Sequence, residues 1–374
     1  MKLLTFQPFS LYSNGGGNRI LRRLFKGREK EVISLVVEEK PLMGQHGTIE
    51  ETIVYASPTV RKWARWKVRK WLTWLRHGVF KSNTINKIRQ AASKIDYDVL
   101  HVVDHGPFGA ALCTDEFCIN KEVWVSFHDH FSTTFGSYAN SNALWKRATR
   151  RLVISEELGN EYSRLFGAAE FELITDGVAA AELSTPAKGH TSPMVVYFAG
   201  LLHIDYIPLF RILADALDLL RKDGHQFKLV LRGTQYIPFL ENRTFDTEYR
   251  QVSIDDAELK SELDSSTMLY LPIKFTRPDF YLYSLSTKMI GYLGASGAIL
   301  YHGPANAAAA KLLRSANAAV CCGEKDVEKL SKDILNLIAD KSSISENAKM
   351  LARQKFDLEH IQQQFWQYKG LTTP

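Results

Sequence analysis

The chain has 374 residues, 45% of them hydrophobic and 24% charged, and a formal net charge of +6. This composition excludes a disordered or fibrous protein, no run of about 18 apolar residues is present to cross a bilayer, and the length predicts two domains rather than one core. Four cysteines (Cys113, Cys118, Cys321, Cys322) lack zinc-site spacing and read as reduced thiols, and the opening MKLLTFQPFS has too short an apolar run for a signal peptide, so a cytoplasmic protein is expected.

Residues 2–6 read as a strand, followed by the loop Ser13-Asn14-Gly15-Gly16-Gly17-Asn18 and a helix from Arg19. Gly16 and Gly17 let backbone approach a ligand closely, but the pattern is not GxGxxG, and a dinucleotide site is not expected. Residues 31–37 form a second strand, and a polar loop runs to about Ser57. Next comes a basic block with no acid in it: Arg61, Lys62, Arg65, Lys67, Arg69, Lys70, Arg76 and Lys81. At 100° per residue, Val60, Trp63, Trp71 and Trp74 share one side of a helix, with Lys62, Arg65, Arg69 and Arg76 on the other. Two readings stand. The helix lies on an anionic membrane through Arg65, Arg69, Trp71 and Trp74, or it packs its tryptophans into its own domain. No recognition module accompanies the patch, so nucleic acid is not expected as a partner.

Residues 83–94 continue as a helix, and residues 98–103 as a buried strand ending at Asp104-His105. A helix begins at Gly106, and the strand 122–127 ends at His128-Asp129-His130. Polar residues therefore gather at strand ends, the edge where open parallel sheets bind ligands. His128 and His130 point the same way on an extended chain, but no third or fourth ligand is spaced to join them, so no metal is expected. His128 is either an acid/base or hydrogen-bonding group, or a structural histidine. A helix over 143–149, a strand over 151–154, a helix capped by Ser155 and a strand over 171–174 complete this half.

Residues 184–193 are polar, carry Pro and Gly, and read as the linker, which puts domains at 1–185 and 186–350 and a helical tail at 351–374 that packs back across the junction. The second half repeats the alternation. Strands are expected at 194–198, 227–231 and 268–271, helices at 207–221 and 255–264, and the strand at 227 ends in Arg232-Gly233-Thr234. Then comes the stretch 283–304: Ser284, Leu285, Ser286 and Thr287 open a helix carrying Lys288, Gly297 ends it, and residues 298–301 make a short strand. Free N–H groups beside a lysine suit a phosphate or pyrophosphate, although an ordinary capped helix reads the same way. Both halves are βαβ series with parallel sheets.

Seven stretches in order, SNGGGNR, DVLHVVDHGPFGAAL, VWVSFHDHF, RLVISEELGNEYSRLFG, YFAGLL, LVLRGT and SLSTKMIGYLGASGAILYHGP, resemble the retaining GT-B glycosyltransferases of the large family four. The resemblance implies two Rossmann-like α/β domains facing across a cleft. A nucleotide-diphosphate sugar would be the donor substrate on the C-terminal domain and a glycan or lipid-linked acceptor would bind the N-terminal one, with no cofactor or metal. The catalytic residues expected are His128, holding the donor sugar, and Lys288, stabilising the leaving diphosphate in place of the family's missing cations. Donor contacts are expected from Gly16, Gly17, Arg232, Gly233, Thr234 and residues 284–287, with Lys274 and Arg277 as further cations, and acceptor contacts from Asp104 and His105. The sequence departs from the family at its two glutamates, whose places are taken by Tyr283 and Gly291, and near Leu201 and Tyr206, where the family carries an arginine and a lysine. The expected activity is sugar transfer in bacterial surface polysaccharide synthesis, in the cytoplasm or peripheral at the inner face of the membrane. The alternatives are a non-catalytic GT-B protein that binds sugar nucleotide or glycan, and a GT-B sugar-nucleotide epimerase.

Overall fold

A computed structural model describes residues 1–13, 15–38, 47–57, 66–183, 192–200, 202, 204–253 and 256–367, without the side chains of Glu38, residues 66–70, Thr73 and Asp256. The chain divides into one unit of Met1–Thr175 with Ile361–Pro374, and a second of Asp176–His360. The division falls after Thr175, ahead of the expected linker, most of which (184–191) lies outside the described residues.

In the first unit, strands β1 (Leu3–Gln7), β2 (Val32–Glu38), β3 (Glu51–Tyr55), β4 (Val99–Val103), β5 (Glu122–Phe127), β6 (Arg150–Val153) and β7 (Glu172–Leu173) form one parallel sheet, ordered β3-β2-β1-β4-β5-β6-β7. Its helices are α1 (Gly16–Phe25), α2 (Trp66–His77), α3 (Lys81–Ala92), α4 (Asp115–Cys118), α5 (Tyr138–Arg147) and α6 (Glu156–Phe166). Apolar residues run almost unbroken through β1, β4 and β5, which are buried along their whole length, as strands covered on both faces must be. Order reverses on either side of β1, so the connections that leave the carboxyl ends of β1 and β4 run in opposite directions and leave a crevice position there. The stretch expected as a loop to Ser57 contains β3, an edge strand whose polar alternation hid it. Only a 3-10 turn, Gly109–Leu112, stands where a helix was expected from Gly106.

One face of this sheet is an aromatic cluster in which Phe127, Trp145 and Phe166 surround Tyr162. The other face receives the chain's C-terminal part. Phe365 is fully buried against Phe25, His101 and Trp124. Arg150 stacks on Trp124, forms a bidentate pair with Glu172 at 2.8 and 2.7 Å, and donates to the carbonyls of Gln364 and Phe365, both at 2.9 Å. A cation thus satisfies carbonyls at a helix end that would otherwise be orphaned.

The second unit has β8 (Met194–Ala199), β9 (Phe227–Arg232), β10 (Asp246–Arg250), β11 (Met268–Pro272), β12 (Ala298–His302) and β13 (Val320–Cys322), all parallel, ordered β10-β9-β8-β11-β12-β13. Its helices are α7 (Ile207–Lys222), α8 (Asp256–Ser265), α9 (Pro278–Tyr283), α10 (Thr287–Leu293), α11 (Ala308–Ser315), α12 (Val327–Ala339), α13 (Lys341–Lys355) and α14 (Leu358–Phe365), the last reaching past His360 into the sequence of the first unit. The order reverses about β8, so the ends of β8 and β11 make the equivalent crevice position. The expected helix of residues 284–297 is shorter than its pattern. It begins at Thr287 and its C-cap is Gly294, while Gly297 packs a backbone position too close to Leu269 for any side chain. Ser286 is the N-cap residue but makes no side-chain capping bond.

Candidate functional site

At the carboxyl edge of the first sheet, α1 starts beside His128. A Cβ on Gly17 would sit 2.9 Å from the Phe9 ring and 3.4 Å from His128 Nδ1, so only glycine lets α1 begin this near the imidazole. The loop before α1 is held by Asn18, whose side-chain amide donates to the Ser10 carbonyl and, at 2.5 Å, to Ser13 Oγ. His128 is buried, and its Nε2 has no hydrogen-bond partner among the described residues. Burial, with His105 adding to it, lowers the imidazole to about 4, so the ring is neutral at pH 7. His105, from the end of β4, meets the Phe9 ring edge-on at 6.0 Å.

Asp104, at the end of β4, accepts from Ser141 Oγ at 2.6 Å, and burial lifts its carboxyl to about 6. The other oxygen of Asp104 is buried with no partner among the described residues. The Nδ1 of His130 is 2.8 Å from Ser132 Oγ and its ring stacks on Phe131. Among the described residues no group of three or more His, Cys, Asp and Glu side chains is placed to hold a metal ion.

At the matching edge of the second sheet, Gly200 follows β8 with φ +127°, a backbone that other residues avoid. Its carbonyl accepts from Thr234 Oγ1 at 3.0 Å and its N–H donates to the Arg232 carbonyl at 2.9 Å, tying the ends of β8 and β9 together. Gly233, at φ +67°, turns the chain away from the end of β9. Lys288 and Tyr292 stand one turn apart on α10 and both face the end of β8. Tyr292 Oη accepts from the Ala199 N–H at 3.3 Å, and the Lys288 ammonium lies 3.7 Å from the centre of the Phe198 ring. A Cβ on Gly200 would be 3.1 Å from Lys288 Nζ. Among the described residues the ammonium has no carboxylate partner, and burial lowers it to about 7.

Arg232, expected to be a donor cation, is instead committed. Its Nε donates to Glu262 at 2.5 Å, its Nη2 to Glu258 at 2.8 Å and to Glu262, and its Nη1 to the Gln251 carbonyl at 2.7 Å. Tyr197 and Arg250 also bond Glu262, at 2.6 and 2.5 Å. Two glutamates one turn apart on α8 hold the guanidinium and neutralise its charge, and four of its five N–H donors are taken within the second unit. Lys274 is buried over the Phe280 ring with Asp205 at 3.7 Å. Arg277 is exposed at φ +59°, opening α9. Ser284 and Leu285 lie in the short link between α9 and α10.

The basic segment is described only from Trp66, and Arg65 and the side chain of Arg69 lie outside the described residues. Trp71 and Trp74 are 58% and 64% exposed, so neither is a core residue. Arg76, expected on the solvated face, is fully buried, because the last turn of α2 rests on its own unit. Phe9, Phe198, Gly200 and Tyr292 are not among the residues expected at the site, and Tyr292 fits a helix's buried face in the pattern. Of the other three, only Gly200, directly after an apolar strand, left a signal in the pattern.

No family model and no curated protein matches this sequence. Solved structures match in fold along nearly the whole chain. Anabaena Alr3699/HepE in complex with UDP-glucose has a TM-score of 0.66 at 15% identity, covering 97% of this chain and 98% of that one. A glycosyltransferase from Rickettsia africae gives 0.64 at 12%, covering 97% of each chain. A UDP-forming trehalose-phosphate synthase from Burkholderia xenovorans gives 0.65 at 10%, covering 98% of each. At these identities the likeness is one of fold. The chain has the GT-B architecture, two α/β domains built on parallel sheets of seven and six strands.

Proposed function

We propose that the chain is a glycosyltransferase that moves a sugar from a nucleotide-diphosphate donor to a glycan or lipid-linked acceptor, with the donor on the second unit and the acceptor on the first. The observation that carries this reading is Lys288, a half-buried ammonium at the switch point of the second sheet with no carboxylate beside it among the described residues. An uncompensated cation there is costly unless an anion visits it. That solved structures of the same fold hold UDP and UDP-glucose supports a diphosphate as that anion.

In this reading Lys288 stabilises the leaving diphosphate as the anomeric C–O bond breaks. The acceptor oxygen bonds the anomeric carbon on the same face and gives its proton to the departing diphosphate, which retains configuration and needs no metal. His128, neutral and with a free Nε2 lone pair or N–H, hydrogen-bonds the transferred sugar. Trp71 and Trp74, with Arg65 and Arg69, hold the enzyme on an anionic membrane surface, in bacterial surface polysaccharide synthesis.

A second reading is favoured by one observation: Tyr283 and Gly291 stand where the resembling family has glutamates, as they would in a binding protein without turnover. Incubation with UDP-glucose and a panel of glycan and lipid-linked acceptors separates the possibilities. Free UDP with a glycosylated acceptor supports transfer. A thermal shift without product supports the binder, and an epimerised donor supports an epimerase. UDP-glucose at about 100 times its dissociation constant adds about 2.7 kcal/mol of stability. No shift with any nucleotide sugar overturns the proposal.

A further inference from the structure

The loop that follows His128 carries an aromatic side chain where folding alone does not want one. Phe135 has φ +58° and is 78% exposed. A bulky residue in the left-handed region is a rare outlier that costs free energy, and here the ring recovers little of it by burial. The loop is otherwise well held. Thr133 bonds the His130 carbonyl through both its N–H, at 2.9 Å, and its hydroxyl, at 2.8 Å, and Gly136 N–H donates to the Phe131 carbonyl at 3.1 Å. Tyr138, 49% exposed, closes the loop with its hydroxyl on the Leu165 carbonyl at 2.9 Å and its ring against Phe166. An exposed phenyl ring is thus fixed on a braced loop a few residues beyond the carboxyl edge of β5.

The surrounding chemistry selects what would cover the ring. Residues 131–142, FSTTFGSYANSN, contain no charged side chain but many hydroxyls and amides. A surface for anionic lipid or phosphate would need cations. An exposed aromatic face on an uncharged loop instead matches a pyranose ring, which presents a patch of C–H groups on one side.

We propose that Phe135 is a stacking platform for a neutral hexopyranose of the acceptor. This rests on the glycosyltransferase reading above and adds the chemical class of the acceptor. The test is saturation-transfer NMR on the full chain with methyl α-glucopyranoside, methyl α-galactopyranoside and methyl α-mannopyranoside, with UDP affinity measured on the same samples. At least one probe should receive saturation on its ring C–H protons. The signal should vanish in Phe135→Ala and persist in Phe135→Tyr, with UDP affinity unchanged. Phe135→Gly should raise the melting temperature, since glycine removes the left-handed strain, while still losing the sugar signal. No transfer to any of the three probes, or transfer undiminished in Phe135→Ala, overturns the platform, and if UDP still binds it leaves the glycosyltransferase reading standing. Loss of binding to vesicles rich in phosphatidylglycerol in Phe135→Ala also overturns it, because the ring would then be a lipid contact. A lowered melting temperature in Phe135→Gly would overturn it in favour of a packing role.

Discussion

Lys288 and His128 differ in what their burial implies. Lys288 is lowered to about 7 by burial, against an unfolded value near 10.4. Between those values the unfolded chain binds the extra proton, so this group makes stability rise with pH, and below about 7 the full cost of the buried cation is present. Lys288→Met is therefore expected to melt higher than the parent at pH 6, with the advantage fading by pH 10, as thermal melts across pH would record.

A diphosphate reverses the balance by favouring the charged form. UDP binding at pH 8 should take up a proton, visible by calorimetry in buffers of different ionisation enthalpy, and affinity should fall up to about tenfold per pH unit above 7. Lys288→Ala should weaken UDP by about 1.5–3 kcal/mol. Unchanged affinity and no proton uptake would remove the lysine from the donor site. His128, held neutral down to about 4, should contribute no inflexion to a rate profile between pH 5 and 8. His128→Ala should lower turnover about a hundredfold while leaving UDP affinity near normal. Near-normal turnover would make it a structural histidine.

Helix α2 shows what a helical wheel can and cannot tell. The wheel grouped Trp71 with Trp74 and placed Arg76 opposite them, and both tryptophans are indeed exposed. Which side met the unit was beyond the wheel, and the neighbours in space put Arg76 inside and leave the indoles outside. Trp71→Ala should then change stability by no more than about 0.5 kcal/mol. If α2 meets lipid, binding to acidic vesicles should fade as salt rises and drop further in Arg65→Gln/Arg69→Gln or Trp71→Ala/Trp74→Ala, as flotation would read. Equal flotation of these variants and the parent would detach the helix from the membrane. Arg232 makes a related point for α8. The sequence places a cation at a strand end, but Glu258 and Glu262 stand more than twenty residues later, and only folding shows that they claim it.

For the molecule as a whole, the alternation of apolar strands with amphipathic helices made both sheets legible. Strands buried on both faces must be apolar runs, and parallel pairing requires a crossover between them. The expected strands at 122–127 and 194–198 and the Ser155 cap stand as read, within a residue. Edge strands β3 and β10 escaped because their half-exposed sequences do not differ from loops. The return of the chain to its first unit rests on Phe365 and Arg150. Phe365→Ala should cost about 3–5 kcal/mol, lowering the melting of the first unit. Removal of residues 361–374 should do at least as much. An unaltered melt in both variants would mean that the C-terminal segment is dispensable to that core.

The sequence by itself determined most element types, the two βαβ series, the polar strand end at His128 and the helix that carries Lys288, because periodicity and burial act locally along the chain. Only the tertiary structure decided which cations stay available. Arg232 is held by carboxylates remote in sequence, while Lys288 is left on Phe198 beside Gly200 with none among the described residues. It alone shows Phe135 held out in a left-handed backbone and Arg76 turned inward. A side chain's charge and size are written in the sequence, but its partners, and hence its free energy, are set by groups that folding brings from elsewhere.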